Sequence, residues 1–152
     1  MYTELRSMIL SLTPDVIGIR QSDANPNVWG VLMEFQIAGH VTTLVCLADG
    51  TTSLYFSSGG GVIGAGAYEP VANASSHLIA MAESYFPLMQ LTRQFPLPSP
   101  SRVRFYVLTF SGTYTADRDE SALKQRNDVF YPLFYAGHEV IAQIRHHASA
   151  AG

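Results

Sequence analysis

Charged residues are scarce in this sequence. Asp, Glu, Lys and Arg make up only 14% of its 152 residues, whereas ~25% is usual for a soluble domain. The charges are also nearly balanced, with nine Lys and Arg against twelve Asp and Glu and no basic run. Proteins that bind nucleic acid need a positive patch for the phosphates, so we expect no nucleic-acid partner. A surface with so few charges favours contact with a partner, and self-association is the simplest form.

Cysteine and long apolar runs are also nearly missing. The single Cys46 lies in an apolar run, which predicts a buried thiol in a reducing compartment and excludes an internal disulfide. No stretch approaches the ~18 apolar residues of a membrane span. The first twelve residues lack the pattern of a signal peptide. We therefore expect a cytoplasmic protein with no membrane partner. The length fits a single domain, residues 1–152, which needs no metal or disulfide to fold.

The first half of the chain predicts a helix followed by a three-stranded meander. A strand over 28–37 would place Trp29 on the same face as Val31, by simple alternation. The next strand, 41–48, is apolar on both faces, which predicts that both are covered. Asp49-Gly50 predicts a type I′ hairpin turn before the third strand.

The second half predicts a helix from Pro70, two further strands and a last helix. The stretch 116–128 holds seven of the 21 charged residues, which indicates a solvated loop. Hairpin connections and the absence of βαβ alternation predict an α+β fold. We expect an antiparallel sheet of about five strands, in the order α-βββ-α-ββ-α, with flanking helices.

Five of the twelve glycines fall between Gly59 and Gly66. The spacing G-x-G-x-x-G is present, but the next helix begins only near Pro70 and no βαβ unit surrounds it, so no dinucleotide or other cofactor is expected. Two interpretations stay open. The glycines allow a bulge or a close backbone approach, or they form a backbone nest for a small anion or nucleotide-like ligand. The residues of that binding site would be Ser57, Ser58, Gly59, Gly60, Gly61 and Gly64.

The last helix supplies two further groups of candidates. His138-Glu139 begins like a zinc-protease helix, but Ala142 stands where the second His is needed, so no metal site is expected. The pair remains only a candidate for acid–base catalysis. Phe130, Phe134 and Tyr135 form an aromatic cluster that belongs either to the core or to a dimer interface.

Three fragments resemble a group of small bacterial α+β proteins of unassigned function: residues 28–34, 49–64 and 136–141. The element order is also similar to that of type III secretion chaperones and, more loosely, of profilin-like and roadblock proteins. This resemblance implies a dimeric or partner-binding module. The low charge, the doubly apolar second strand and the aromatic last helix lead us to expect a non-enzymatic protein-interaction or scaffold module that acts as a homodimer and could take a protein partner. The alternative is a small-molecule-binding protein that uses residues 57–66.

Overall fold

Helices and an antiparallel sheet make up the fold, which confirms the α+β class. The computed structural model describes the backbone of residues 1–151 and the side chains of residues 1–147. In chain order the elements are α1 (Tyr2–Ser11), β1 (Val28–Ile37), β2 (His40–Leu47), β3 (Thr52–Phe56), β4 (Gly61–Val62), α2 (Glu69–Tyr85), β5 (Gln90–Thr92), β6 (Arg102–Thr109), β7 (Gly112–Asp119), α3 (Glu120–Lys124) and α4 (Tyr131–Ala151). No helix in this part of the chain combines the length and apolar character needed to cross a membrane.

The sheet has more strands than the sequence predicts. Within the described backbone, seven antiparallel strands follow the order β4-β3-β2-β1-β6-β7-β5. The expected number was about five, and the two additional strands, β4 and β5, lie at the two edges. They span two and three residues, which is too short for an alternating pattern to show in the sequence.

A bulge at the start of β1 changes which face Trp29 occupies. The pairing with β6 shifts by one residue between Val28 and Gly30. An extra residue in one strand reverses the side-chain alternation at that point. Trp29 therefore packs with Leu32, on the opposite face from Val31. The prediction that Trp29 and Val31 share a face was wrong for this reason.

The two faces of the sheet have different covers. Helices α2 and α4 cover one face, called here the helical face, and their apolar residues pack on Met33, Phe35 and Leu44. Helix α1 and parts of the irregular segments 12–27 and 93–101 cover the other, called the α1 face. Strand β2 contributes buried residues to both faces, as its doubly apolar sequence predicts.

Two connections differ from the sequence predictions. In the Asp49-Gly50 hairpin only Gly50 has a positive φ, so the turn is not type I′, which needs two positive φ values. Two consecutive positive φ values occur instead at the Ala38-Gly39 turn between β1 and β2. The stretch 116–128 is largely ordered secondary structure rather than a loop: β7 runs through Asp119, whose carboxylate accepts the Ala122 N–H and caps α3.

Candidate functional site

A row of polar side chains crosses the sheet on the α1 face. The strand registers place Tyr55, Thr43, Glu34, Arg104 and Asp117 side by side on β3, β2, β1, β6 and β7. Directly paired residues of antiparallel strands present their side chains on the same face. We call these five residues the polar row. It runs from the glycine-rich edge of the sheet to the opposite edge.

Glu34 is the buried centre of the polar row. Its side chain is 0% exposed, and both carboxylate oxygens accept hydrogen bonds from Arg6 of α1, at 2.7 Å from Nε and 2.8 Å from Nη2. The Thr43 hydroxyl also donates to Glu34 Oε2 at 2.7 Å. Arg6 Nη2 reaches the Pro96 carbonyl as well, at 3.3 Å. This bidentate pair fixes α1 across the middle of the sheet.

Two tyrosines complete the network around Glu34. The Tyr2 hydroxyl hydrogen-bonds Thr43 Oγ1 at 2.6 Å, and the Tyr106 hydroxyl donates to the Pro96 carbonyl at 2.5 Å. Burial raises the pKa of Tyr2. Burial and, secondly, the Glu34 charge raise the pKa of Tyr106 to about 12. Both phenols therefore stay protonated near neutral pH, and the centre of the polar row serves as an anchor closed to solvent.

The polar row opens to solvent at the β7 end. There a cavity of about 360 Å³ lies beside β7, next to the point where β5 begins. We call it the edge notch. Its polar lining consists of Gln90, Arg104, Thr115, Asp117 and Arg118.

The two arginines of the edge notch are held differently. Arg104 Nη1 donates to Thr115 Oγ1 at 3.2 Å, while its Nη2 lies 3.7 Å from Asp117 Oδ2, beyond hydrogen-bond range. Its buried Nε has no hydrogen-bond partner among the described residues. Arg118 is paired with Asp128 Oδ2, at 2.8 Å from Nη2 and 2.9 Å from Nε. Its guanidinium also lies over the Phe130 ring.

Comparison with known proteins gives no assignment, because no family model, curated protein or solved structure matches the chain. Among the described residues, no group of three or more His, Cys, Asp or Glu side chains could hold a metal ion. Cys46 is fully buried in the core, and burial raises the pKa of its thiol to about 12.

The glycine-rich segment makes close backbone contacts. Ser57 Oγ accepts the Val41 N–H at 2.7 Å, and Ser57 N–H donates to the Val41 carbonyl at 2.9 Å. Gly59 and Gly60 turn the chain with φ values of 111° and 80°, while Ser58 is exposed. A side chain at Gly61 would collide with the Leu54 carbonyl. These contacts support the structural interpretation of the segment.

The proposed ligand-binding role of residues 57–66 stays a prediction. Gly60 and Gly61 line a cavity of about 280 Å³ whose other walls are Met1, Leu5, Tyr55 and Ile63. Gly64 has a φ of 72° at the start of a one-turn 3₁₀ helix and does not line it. Because these walls are mainly apolar and Ser57 Oγ is bonded to backbone, the space suits an apolar group better than an anion.

The two candidates for acid–base catalysis, His138 and Glu139, lie in different environments, and their catalytic role stays a prediction. The His138 ring packs against Phe35 and Phe134, with centroids 5.0 and 4.5 Å apart. Burial lowers its pKa to about 4, with smaller contributions from the charges of Lys124 and Arg145. Glu139 is exposed, and its carboxylate accepts a hydrogen bond from Gln143 at 2.8 Å.

The aromatic candidates of the last helix divide between core and surface. Phe130 and Phe134 are buried in the apolar cluster of the helical face. Tyr135 is 39% exposed, and its hydroxyl donates to the Lys124 carbonyl. Within one copy of the chain, the two phenylalanines therefore belong to the core.

The residues that sequence reasoning missed are Arg6, Glu34 and Arg104. A signal was present for Glu34, which stands as the one charged residue within the apolar stretch of β1. Arg6 lies 28 positions away in a helix. No sequence pattern links the two residues, because only the folded sheet brings them together.

Proposed function

We propose that this protein is a cytoplasmic interaction module that acts as a homodimer, joined through the edge strand β5. The observation that supports this most is the character of that strand. Its residues Gln90, Leu91 and Thr92 carry no charge, it is the last strand of the sheet, and Leu91 is 62% exposed at its centre. An uncharged edge strand with an exposed apolar side chain is a template for pairing with another strand. The buried, unpaired Cys46 thiol suits the reducing cytoplasm.

The β5 edge is complementary to itself. A two-fold axis through Leu91 would set this residue opposite its own copy and Gln90 opposite Thr92, so no like charges would meet. The outer edge of β7 differs, because Asp117 and Asp119 would face each other in a similar pairing centred on Arg118. The exposed Leu88 extends the apolar surface beside β5. A stable dimer would bury about 1,000 Å² or more.

The test is the mass of the protein in solution after Leu91→Lys. A lysine at the centre of β5 would place two positive charges together on the two-fold axis, so we expect a monomer with an unchanged circular dichroism spectrum. Ile63→Lys is the matched control, because Ile63 is 74% exposed beside the opposite edge strand, β4. Phe134 is unsuitable for this test, since a charge in the core would unfold the chain.

Sedimentation velocity separates the outcomes. The proposal expects the unmodified protein and Ile63→Lys to sediment as dimers and Leu91→Lys as a monomer. A monomeric unmodified protein at the highest soluble concentration, or a dimeric Leu91→Lys variant, would overturn it.

A further inference from the structure

We propose that the edge notch binds a small molecule through a carboxylate or phosphate group, with Arg104 as the main contact. This site is separate from the glycine-rich segment, and it shares Gln90 with the strand β5. The proposal rests on three observations: an open stretch of strand, a guanidinium with unused donors, and a polar lining made mainly of hydrogen-bond donors.

The notch exists because β5 is shorter than the strand beside it. The pairing of β5 with β7 reaches only from Thr92↔Thr113 to Gln90↔Thr115. Before Gln90 the chain leaves the sheet through a 3₁₀ turn, Phe86–Leu88. The next β7 residues, Ala116 to Arg118, still pair with β6, but on the side away from β6 they line a cavity instead of pairing with β5. Its volume of about 360 Å³ falls within the range of small-molecule sites.

Arg104 has unused hydrogen-bonding capacity at this place. A guanidinium offers five N–H donors, and the structure gives Arg104 one hydrogen bond, to Thr115. Its side chain is only 17% exposed, and its buried Nε has no hydrogen-bond partner among the described residues. Its cross-strand neighbour Glu34 is committed to Arg6 and Thr43. A ligand with two oxygens would satisfy donors that the protein leaves open.

The chemistry of the walls selects an oxyanion. Gln90 adds an amide to the guanidinium of Arg104, and Arg118 adds a second guanidinium that is already paired with Asp128. Arginine binds carboxylate and phosphate groups in a bidentate manner because its donors match their spacing. The carboxylate that approaches Arg104, from Asp117, is 41% exposed and shared with Arg102 at 3.2 Å. Asp117 would therefore compete with an incoming anion from a weakly bound position.

Titration with inorganic phosphate and with succinate tests the proposal, using sodium chloride at equal ionic strength as the reference. Isothermal calorimetry gives the affinity, and amide chemical shifts give the location. We expect saturable binding of at least one probe, with the largest shifts at residues 88–90, 104 and 115–118. Preference for phosphate or for succinate distinguishes the two ligand classes. The Ile63→Lys variant should bind equally well, because Ile63 lies beside β4 at the opposite edge of the sheet.

Two variants act in opposite directions. Arg104→Gln should weaken binding about tenfold or more, because it removes charge-assisted hydrogen bonds to the anion. Asp117→Asn should tighten it, because it removes the competing carboxylate. Arg20→Gln is the matched control: Arg20 is exposed and lies outside the notch, so affinity should not change.

The proposal is overturned by any of three results. These are equal responses to the probes and to sodium chloride, shifts centred away from the notch, and an Arg104→Gln variant that binds like the unmodified protein. If Arg104→Gln does not fold, Asp117→Asn decides, because its changed side chain lies at the surface. Unchanged or weaker binding by that variant would then refute the site.

Discussion

The two faces of the sheet are held to their covers in different ways. On β1, the neighbours Met33 and Glu34 are both completely buried but point to opposite faces. Met33 meets the apolar side chains of the α2–α4 layer. Glu34 meets Arg6 of α1 through a bidentate ion pair. The helical face therefore depends on apolar burial, while the α1 face adds a directional contact between two particular residues.

This difference predicts different responses to substitution. Apolar burial is non-directional, and its loss scales with the volume removed. A buried ion pair must offset the desolvation of both charges, so removing one partner leaves the other buried and unpaired. The α1 face should therefore tolerate paired changes and reject single ones. The apolar residues of the helical face should show no such dependence on a specific partner.

The largest effect should follow from Arg6→Leu. This change leaves the Glu34 carboxylate buried without its cation, which costs about 3–5 kcal/mol of unfolding free energy. Urea unfolding followed by circular dichroism measures this loss. A decrease below about 1 kcal/mol, the range of exposed ion pairs, would show that the pair does not anchor α1.

The matched control combines Arg6→Leu with Glu34→Leu. Replacing a whole buried ion pair by apolar residues is often neutral or stabilising, so the double variant should regain most of the stability lost by Arg6→Leu. The Thr43 hydroxyl would lose its Glu34 acceptor, and this keeps the recovery incomplete. If the double variant is as unstable as the single one, then removing the unpaired Glu34 charge does not restore stability, and the attachment of α1 requires the ion pair itself.

A smaller effect is expected from Leu133→Ala on the helical face. Leu133 is fully buried in the α2–α4 cluster, and truncating a core leucine costs about 3 kcal/mol. Combined with Arg6→Leu, the two losses should add within about 0.5 kcal/mol, because distant sites without shared partners act independently. A larger coupling, measured by the same urea unfolding, would show that the sheet transmits strain between its faces.

Sequence reasoning recovered the helical face better than the α1 face. The doubly apolar β2 and the hairpin order of the strands were enough to predict an antiparallel sheet covered on both sides. The Trp29 bulge escaped prediction because it depends on pairing with β6. The Arg6–Glu34 pair and the edge notch escaped because they depend on how strands far apart in sequence align.

The smallest expected effect is a change of the free energy of unfolding with pH, caused by His138 on the helical face. Burial lowers its pKa to about 4 in the folded protein, against about 6.5 for an ordinary histidine. Between these two pKa values the unfolded chain binds a proton at His138 that the folded chain does not. The free energy of unfolding is therefore unaffected by His138 above pH ~6.5 and falls as the pH drops toward ~4. Since the ring is partly exposed, we expect this loss to be about 1–2 kcal/mol. His138→Leu should remove it, and the difference between the unfolding free energies of the two proteins across this window isolates the contribution from other groups. If the free energies of unfolding of the two proteins change with pH in parallel, the His138 ring between Phe35 and Phe134 ionises as readily as a histidine in water. The helical face would then hold a charged side chain among its apolar residues.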